Sequence, residues 1–351
     1  MDATKLQAYL GIPMPSIETF EEPEDQDKSR KVLYDALDDL CACSQHLEFH
    51  LGADIVKPDI TLLDDAAKTT IVERRIFPKK HLKVCEILVL SSAVPLSHYA
   101  ATFEPGPNDF DTRDAARCLA RVEFCKRVSD LLVMSNVGRV GSVELRHSVI
   151  LQDDETLSYC EIPDMVGYSL QRAAEMAERM GWPQLDVLDI KTVWNWTVKH
   201  REMLEGFDGS ATGRALNAFS RLFDRKTAEQ PMQLLWALVG LEALYVEGKT
   251  ELLQQVREKS QVLLGRQTEY KKSVSQMYNF RSRFVHGDLD FPGLCFIHDA
   301  RDEVAKYDGD LLNAIAVAVA VLAGTLQQII RRDWSGVKFE YRVDDLCSGA
   351  S

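Results

Sequence analysis

Paired cysteines are missing from this 351-residue sequence: its eight cysteines are scattered singly, apart from Cys41 and Cys43. A disulfide-stapled secreted scaffold is therefore excluded as the expected design, and a reducing compartment fits better. The N-terminus, MDATKLQAYL followed by an acidic stretch, lacks the charged-then-apolar form of a secretory leader, so the expected address is cytoplasmic. Long apolar runs are nearly absent too. Only residues 311–330 approach one, and they are alanine-rich and include Asn313, Thr325, Gln327 and Gln328. A membrane span needs about 20 strongly apolar residues, so this run is expected to be a buried helix, with no membrane partner. The first 200 residues contain no repeat and no glycine-rich phosphate loop.

Basic residues are also in deficit, 41 against 54 acidic, for a net charge of −13. That balance argues against a strong non-specific nucleic-acid binder, because phosphate contacts need Lys and Arg. The deficit is unevenly distributed. Residues 1–210 carry −13, residues 211–340 about +1 and residues 341–351 −1. The excess acid thus lies outside the C-terminal third, where Lys271, Lys272, Arg281 and Arg283 cluster. A short RNA is compatible with that segment.

The chain is long enough for two domains. Residues 1–28 are proline- and glutamate-rich (PMPSIETFEEPEDQD) and read as a loose acidic lead-in. Residues 29–205 read as a mixed α/β domain. Helical spacing of Leu33, Leu37 and Leu40 predicts a helix over 29–50. Residues 69–77 and 82–91, rich in β-branched and apolar side chains, predict strands. Asp111 can cap a helix running to about 134. Strands over 140–151 and 156–162 flank the acidic turn Asp153-Asp154-Glu155, and helices follow over 168–180 and 191–205.

Two glycines in Gly206-Phe207-Asp208-Gly209-Ser210 mark the boundary. Beyond it, residues 210–335 read as an all-α bundle and 336–351 as a tail, giving an α+β chain overall. Helices are expected over 214–223, from Pro231 to just before Gly248, over 251–264 closed by Gly265, over 269–286 closed by Gly287, and over 310–332. The connection of some twenty residues around Pro292 is long enough to be functional.

Chemistry concentrates in the fourth of these helices. Tyr270, Val274, Met277, Tyr278, Phe284 and Val285 form one apolar stripe, and Arg281 falls near its middle while Arg283 points away. A guanidinium on such a face needs an anionic partner, because an unpaired buried charge is very costly. Glu242, the one charge within residues 236–245 (WALVGLEALY), is the internal candidate; a substrate phosphate is the other. His286 closes the helix just before Gly287. It suits a capping role when protonated, and histidine is also the side chain best able to move a proton near neutral pH. Arg and His within one and a half turns suit metal-free phosphodiester cleavage. The RNA 2′-hydroxyl must lose a proton, the leaving oxygen must gain one, and the phosphorane needs cationic hydrogen bonds.

With these residues the segment Arg281-Ser282-Arg283-Phe284-Val285-His286-Gly287 resembles the R-x4–6-H signature of the HEPN superfamily. With Tyr278 ahead of it and GLEALY at residues 240–245, it is most similar to the Apea-like HEPN branch. The resemblance covers about residues 211–332 and leaves the first 200 untouched. It implies a bundle of about five helices, a homodimer formed through that bundle, no cofactor, and metal-independent RNA endonuclease activity in phage defence or toxin systems. It maps the family's catalytic pair onto Arg281 and His286, with Ser282 where Asn, Asp or His is common. Ser282, Arg283, Glu242 and Tyr278 are the expected supporting or substrate-binding residues. RNA, as tRNA or a single strand, is the implied partner, with an antitoxin or a phage trigger as regulator. The competing expectations are a non-catalytic HEPN module that binds nucleotide, RNA or protein, and a plain dimerisation bundle with a buried Glu242–Arg281 pair.

Other constellations carry less. A second match, from Arg74 or Arg75 to His81, is interrupted by Pro78 and cannot be helical. Cys41, Cys43, His46 and His50 include metal-ligand types, but structural zinc favours looser pairing, and no metal is expected. Asp38-Asp39 and Asp153-Asp154-Glu155 read as solvated surface. Trp194 and Trp196 read as packing residues of an interdomain helix, with stacking on a base as the alternative, and His98, His147, His200 and His298 as ordinary ones.

Overall fold

The computed structural model describes residues 3–15, 23–102, 112–157, 162–223, 230–248, 251–267, 271–288 and 302–340. The chain runs β1 (Ala3–Pro13), α1 (Pro23–Cys43), β2 (Phe49–Leu51), β3 (Asp54–Val56), β4 (Asp59–Leu62), α2 (Asp65–Glu73), α3 (Lys79–Leu82), β5 (Cys85–Pro95), α4 (Ser97–Ala101) and α5 (Thr112–Gly138). It continues through β6 (His147–Gln152), β7 (Glu155–Leu157), α6 (Tyr168–Met180), α7 (Ile190–Lys199), α8 (Ala211–Ser220), α9 (Gln230–Tyr245), α10 (Leu252–Leu264), α11 (Lys271–His286) and α12 (Asp302–Arg331). The fold is α+β: an antiparallel sheet in the N-terminal region, then helices.

The sheet has the order β4-β5-β1-β6-β7, and β2 and β3 form a separate hairpin. Its central strand is β1, paired along its whole length with β5 and, from Leu6 to Gly11, with β6. This corrects the expected loose lead-in over residues 1–28. The period-two set Leu6, Ala8, Leu10 and Ile12 is fully buried in the main core, while Tyr9 points into a smaller cluster with Ile71, Phe77, Ile87 and Val89. The flanking acidic composition concealed that alternation.

The strand expected over 69–77 is instead the end of helix α2 and the turn that follows it. Asp64 accepts the Ala67 backbone N–H at 2.8 Å and caps the helix, in which Ile71 alone needs to be buried. A strand would need every second residue buried, so the β-branched run Thr69-Thr70-Ile71-Val72 is overridden by its surroundings. Strand β5 begins later and ends later than expected. Of the expected strand over 140–151 only β6 is extended in the sheet, because Asn136 takes up the Val143 N–H and carbonyl through its own side chain. The acidic turn after β6 is a tight one, with Asp153 and Asp154 both at positive φ. Helix α1 starts earlier than expected and ends at Cys43, and α7 ends at Lys199 before a 3-10 turn over Arg201–Glu205. Asp111, His298 and residues 289–301 around Pro292 lie outside the described residues, and the expected twenty-residue connection is shortened because α12 starts at Asp302, before the expected 310.

Two carboxylates read as solvated surface are structural. Asp39 accepts the first N–H of α7, from Ile190, at 2.9 Å. Asp153 accepts the Thr4 hydroxyl at 3.0 Å and the Lys5 N–H at 2.8 Å. The indoles of Trp194 and Trp196 are buried, donating to the carbonyls of Glu48 and Trp334.

Gly206 and Gly209 take positive φ at the expected architectural boundary, yet a single buried core extends from β1 to α12. Helix α12 joins the two parts, packing on α6 and α7 as well as on α8 to α11. By length and composition it is the one described helix able to cross a membrane, and 78% of its apolar window is buried inside the protein. Gly240 lets α9 approach it closely: a Cβ there would stand 2.8 Å from the Leu322 side chain.

Candidate active site

Helix α11 lies against α9, α10 and α12. Val274, Met277, Tyr278 and Phe280 are buried, Phe284 is half-buried, and Val285 is 55% exposed. The expected stripe is therefore corrected at its end, because α11 buries two faces. One faces α9, and the other brings the Phe280 ring to 6.0 Å from that of Tyr307 on α12. Tyr270 lies outside the described residues. The helix closes in a Schellman arrangement: Asp288 N–H donates to the Arg283 carbonyl at 2.8 Å and Gly287 N–H to that of Phe284 at 3.4 Å, with Gly287 at φ +75°. His286 is thereby the last helical residue, and it is exposed.

Arg281 and Glu242 meet across α11 and α9. The guanidinium Nε stands 3.1 Å from Glu242 Oε1 as an ion contact, and Nη2 donates to Oε2 at 3.3 Å. The two side chains are 29% and 20% exposed, so the pair is partly buried rather than sealed. Burial pushes the Glu242 carboxyl above the usual carboxylate range, and the Arg281 charge only partly opposes this. Tyr278, one turn before Arg281, has its hydroxyl buried without a hydrogen-bond partner among the described residues. Burial, reinforced by the Glu242 charge, raises its pKa strongly. The Trp236 indole N–H and the Tyr307 hydroxyl are similarly buried and unpartnered among the described residues.

Two clefts border the pair. Arg281 lines a narrow apolar one with Leu234, Leu235, Phe280, Phe284 and Leu311. Glu242 lines a wider, more open one with Val246, Leu252 and Arg214. Chemically, the first is an apolar slot of about 10 Å³, room for a water-sized group, with a cation in its lining, and the second has a carboxylate and a cation in its lining.

Among the expected site residues, Arg281, Glu242 and Tyr278 come together. Ser282 and Arg283 are exposed, and Arg283 donates to the Asp288 carbonyl at 3.3 Å. His286 does not join them: five residues along a helix turn a side chain by about 140° from Arg281. Phe280, Arg214 and Tyr307 were not anticipated. Phe280 follows Met277 at helical spacing and was legible as a second face; Arg214 and Tyr307 arrive from remote helices and carried no local signal. The second Arg-to-His match spans a turn and a short helix: Arg74 and Arg75 follow α2, with Arg75 at positive φ, and His81 lies in α3 with its ring stacked at 4.8 Å on His147. Among the described residues no three His, Cys, Asp or Glu side chains are grouped as metal ligands, and Cys43 is turned to Asp39. Compared with protein-family models, with curated proteins and with solved structures, the chain matches none.

Proposed function

We propose that the protein is a metal-independent RNA endonuclease of HEPN type, acting in phage defence by abortive infection or as a toxin. One observation carries this: Arg281 is held by a two-point contact on the wall of a cleft, on the same helix that ends in an exposed His286. Arg281 binds the non-bridging oxygens of the scissile phosphate. The 2′-hydroxyl gives up its proton, its oxygen attacks phosphorus, and the bond to the 5′-oxygen breaks as that oxygen gains a proton. A 2′,3′-cyclic phosphate and a 5′-hydroxyl result. His286 handles a proton in this exchange, and Ser282 and Arg283 lie along the RNA backbone, as a tRNA or a single strand.

Because Arg281 and His286 diverge on one helix, a complete site takes groups from two copies of the bundle across a twofold axis. The sheet-containing region senses a phage trigger or an antitoxin, or recruits the RNA. A second reading, a non-catalytic nucleotide-binding, RNA-binding or dimerisation module, is favoured by Glu242, which already occupies Arg281. Digestion of RNA in excess EDTA separates the two. Cleavage that persists in chelator and disappears in His286→Ala supports the nuclease. Cleavage that requires added Mg²⁺, or none by a folded protein, refutes it.

A further inference from the structure

We infer that Glu242 is a positioning residue that holds Arg281 in the free protein and hands it to a substrate phosphodiester, taking up a proton as it does so. This rests on the nuclease reading above. Among the described residues the guanidinium meets Glu242 through one hydrogen bond and one ion contact, which leaves Glu242 Oε1 without a hydrogen bond, and a phosphodiester needs that same planar face. Both anions cannot hold Arg281 in full. When the phosphate takes it, Glu242 is left partly buried without its counter-ion, and burial then acts on the carboxyl unopposed.

The surroundings favour neutralising the carboxyl over keeping it charged. On α11 the groups near it are Arg281 itself and Tyr278, whose hydroxyl is buried and has no partner among the described residues. From α8, Arg214 lines the same cleft, but its Nη1 donates to the Gly209 carbonyl at 2.7 Å. Leu252 on α10 is apolar. Helix α12 meets α9 through Leu322 and Thr325, neither of which titrates. The proton balance is simple: Glu242 carboxylate plus a solvent proton becomes a carboxylic acid, while Arg281 stays cationic throughout. The Tyr278 O–H, idle in the free protein, becomes the donor to the released carboxyl.

The test uses the full-length protein and an oligonucleotide of 2′-O-methyl RNA, which binds but cannot be cut by 2′-oxygen attack. Titration calorimetry near pH 6.5 in two buffers of unlike ionisation enthalpy counts the protons exchanged on binding. The wild type should take up a substantial fraction of one proton, with affinity falling as pH rises. Glu242→Gln, which keeps the shape and an acceptor oxygen, should lose that uptake and bind severalfold more tightly. Tyr278→Phe should weaken binding both in the wild-type background and in Glu242→Gln, since each offers a neutral acceptor oxygen, and much less in Glu242→Leu, which offers none. His286→Ala should retain the uptake. Uptake that survives in Glu242→Gln, or that vanishes in His286→Ala instead, overturns the hand-over while leaving the nuclease reading standing. An oligonucleotide that fails to bind, or that binds equally well to a folded Arg281→Ala protein, overturns both.

Discussion

Replacing Arg281 with Met should destabilise the protein by about 2 kcal/mol at pH 7, and most of the loss should disappear in acid. An exposed ion pair contributes about 0–1 kcal/mol, and removing one partner of a fully buried pair costs about 3–5 kcal/mol. With side chains 29% and 20% exposed, Arg281 and Glu242 fall between these limits. Methionine preserves much of the packing of the arginine stem against Leu234 and Phe284, so the loss reports mainly on the carboxylate left alone. Glu242→Gln should cost less, about 1 kcal/mol, because a neutral amide tolerates the site better. The double variant should be more stable than the sum of the two losses implies, by about 1 kcal/mol of coupling. The pH dependence follows from the Glu242 carboxyl, which burial raises in the folded state, and raises further once the guanidinium is gone. A group raised in this way binds its proton more tightly in the folded chain than in the unfolded one. Its destabilising effect is absent below the unfolded value and grows as pH rises through the folded value. The deficit of Arg281→Met should therefore shrink between pH 7 and pH 5. Urea unfolding followed by far-ultraviolet circular dichroism at both pH values measures it. A deficit unchanged at pH 5, or strictly additive losses in the double variant, would show that the two charges do not support each other.

Three further changes test the frame around the site. Gly287→Ala should cost about 1 kcal/mol through backbone strain alone, since the glycine sits at φ +75° and none of the described residues lies within 4 Å of a Cβ added there; a neutral effect on Tm would mean that the helix end is not closed as described. Asp189→Ala removes the cap of α7 and should cost about 1 kcal/mol at neutral pH. Burial pushes the Asp189 carboxyl up, but two hydrogen bonds from Thr192 outweigh it and hold it low, so the difference between variant and wild type should fade as pH drops below that depressed value. Arg283→Ala, at an exposed position, should leave stability within about 0.5 kcal/mol while weakening RNA binding and making it less salt-dependent; an equal loss of affinity from a folded variant at every salt concentration would place Arg283 away from the phosphates.

The pairing of Arg281 with Glu242 was legible because each is a charge placed where its helix should be apolar, and two such exceptions on neighbouring helices have few other ways to be satisfied. The closing glycine made the end of α11 legible in the same way, and with it the position of His286. Phe280 was missed because one apolar stripe was followed where the helix has two buried faces. Arg214 and Tyr307 reach the site from α8 and α12, and nothing local to either residue announces it. Among the strands, β1 was hidden by its acidic neighbours although Leu6, Ala8, Leu10 and Ile12 alternate as a buried strand should. Residues 69–77 failed in the opposite direction, since a β-branched run carries little weight when Asp64 caps a helix in which only Ile71 has to be covered; Ile76 and Phe77, also buried, lie in the turn beyond it.

The continuity of the core has its sequence signal in α12. From Ala314 to Ala323 every residue is apolar, and every one is buried. A helix that serves one bundle shows a polar stripe to water, whereas one that is apolar all round must be covered all round. The bundle partners α8, α9, α10 and α11 cover part of that circumference, and α6 and α7, from before the Gly206–Gly209 turn, help to cover the rest. Near its end the Gln327 amide donates to the Val137 carbonyl at 2.8 Å and its oxygen accepts the Asp186 N–H at 2.9 Å, tying α12 to the end of α5 and the loop before α7. The two glycines interrupt the run of helices after α7, but they do not divide the buried core, because the last helix has no polar face along which the two parts could separate.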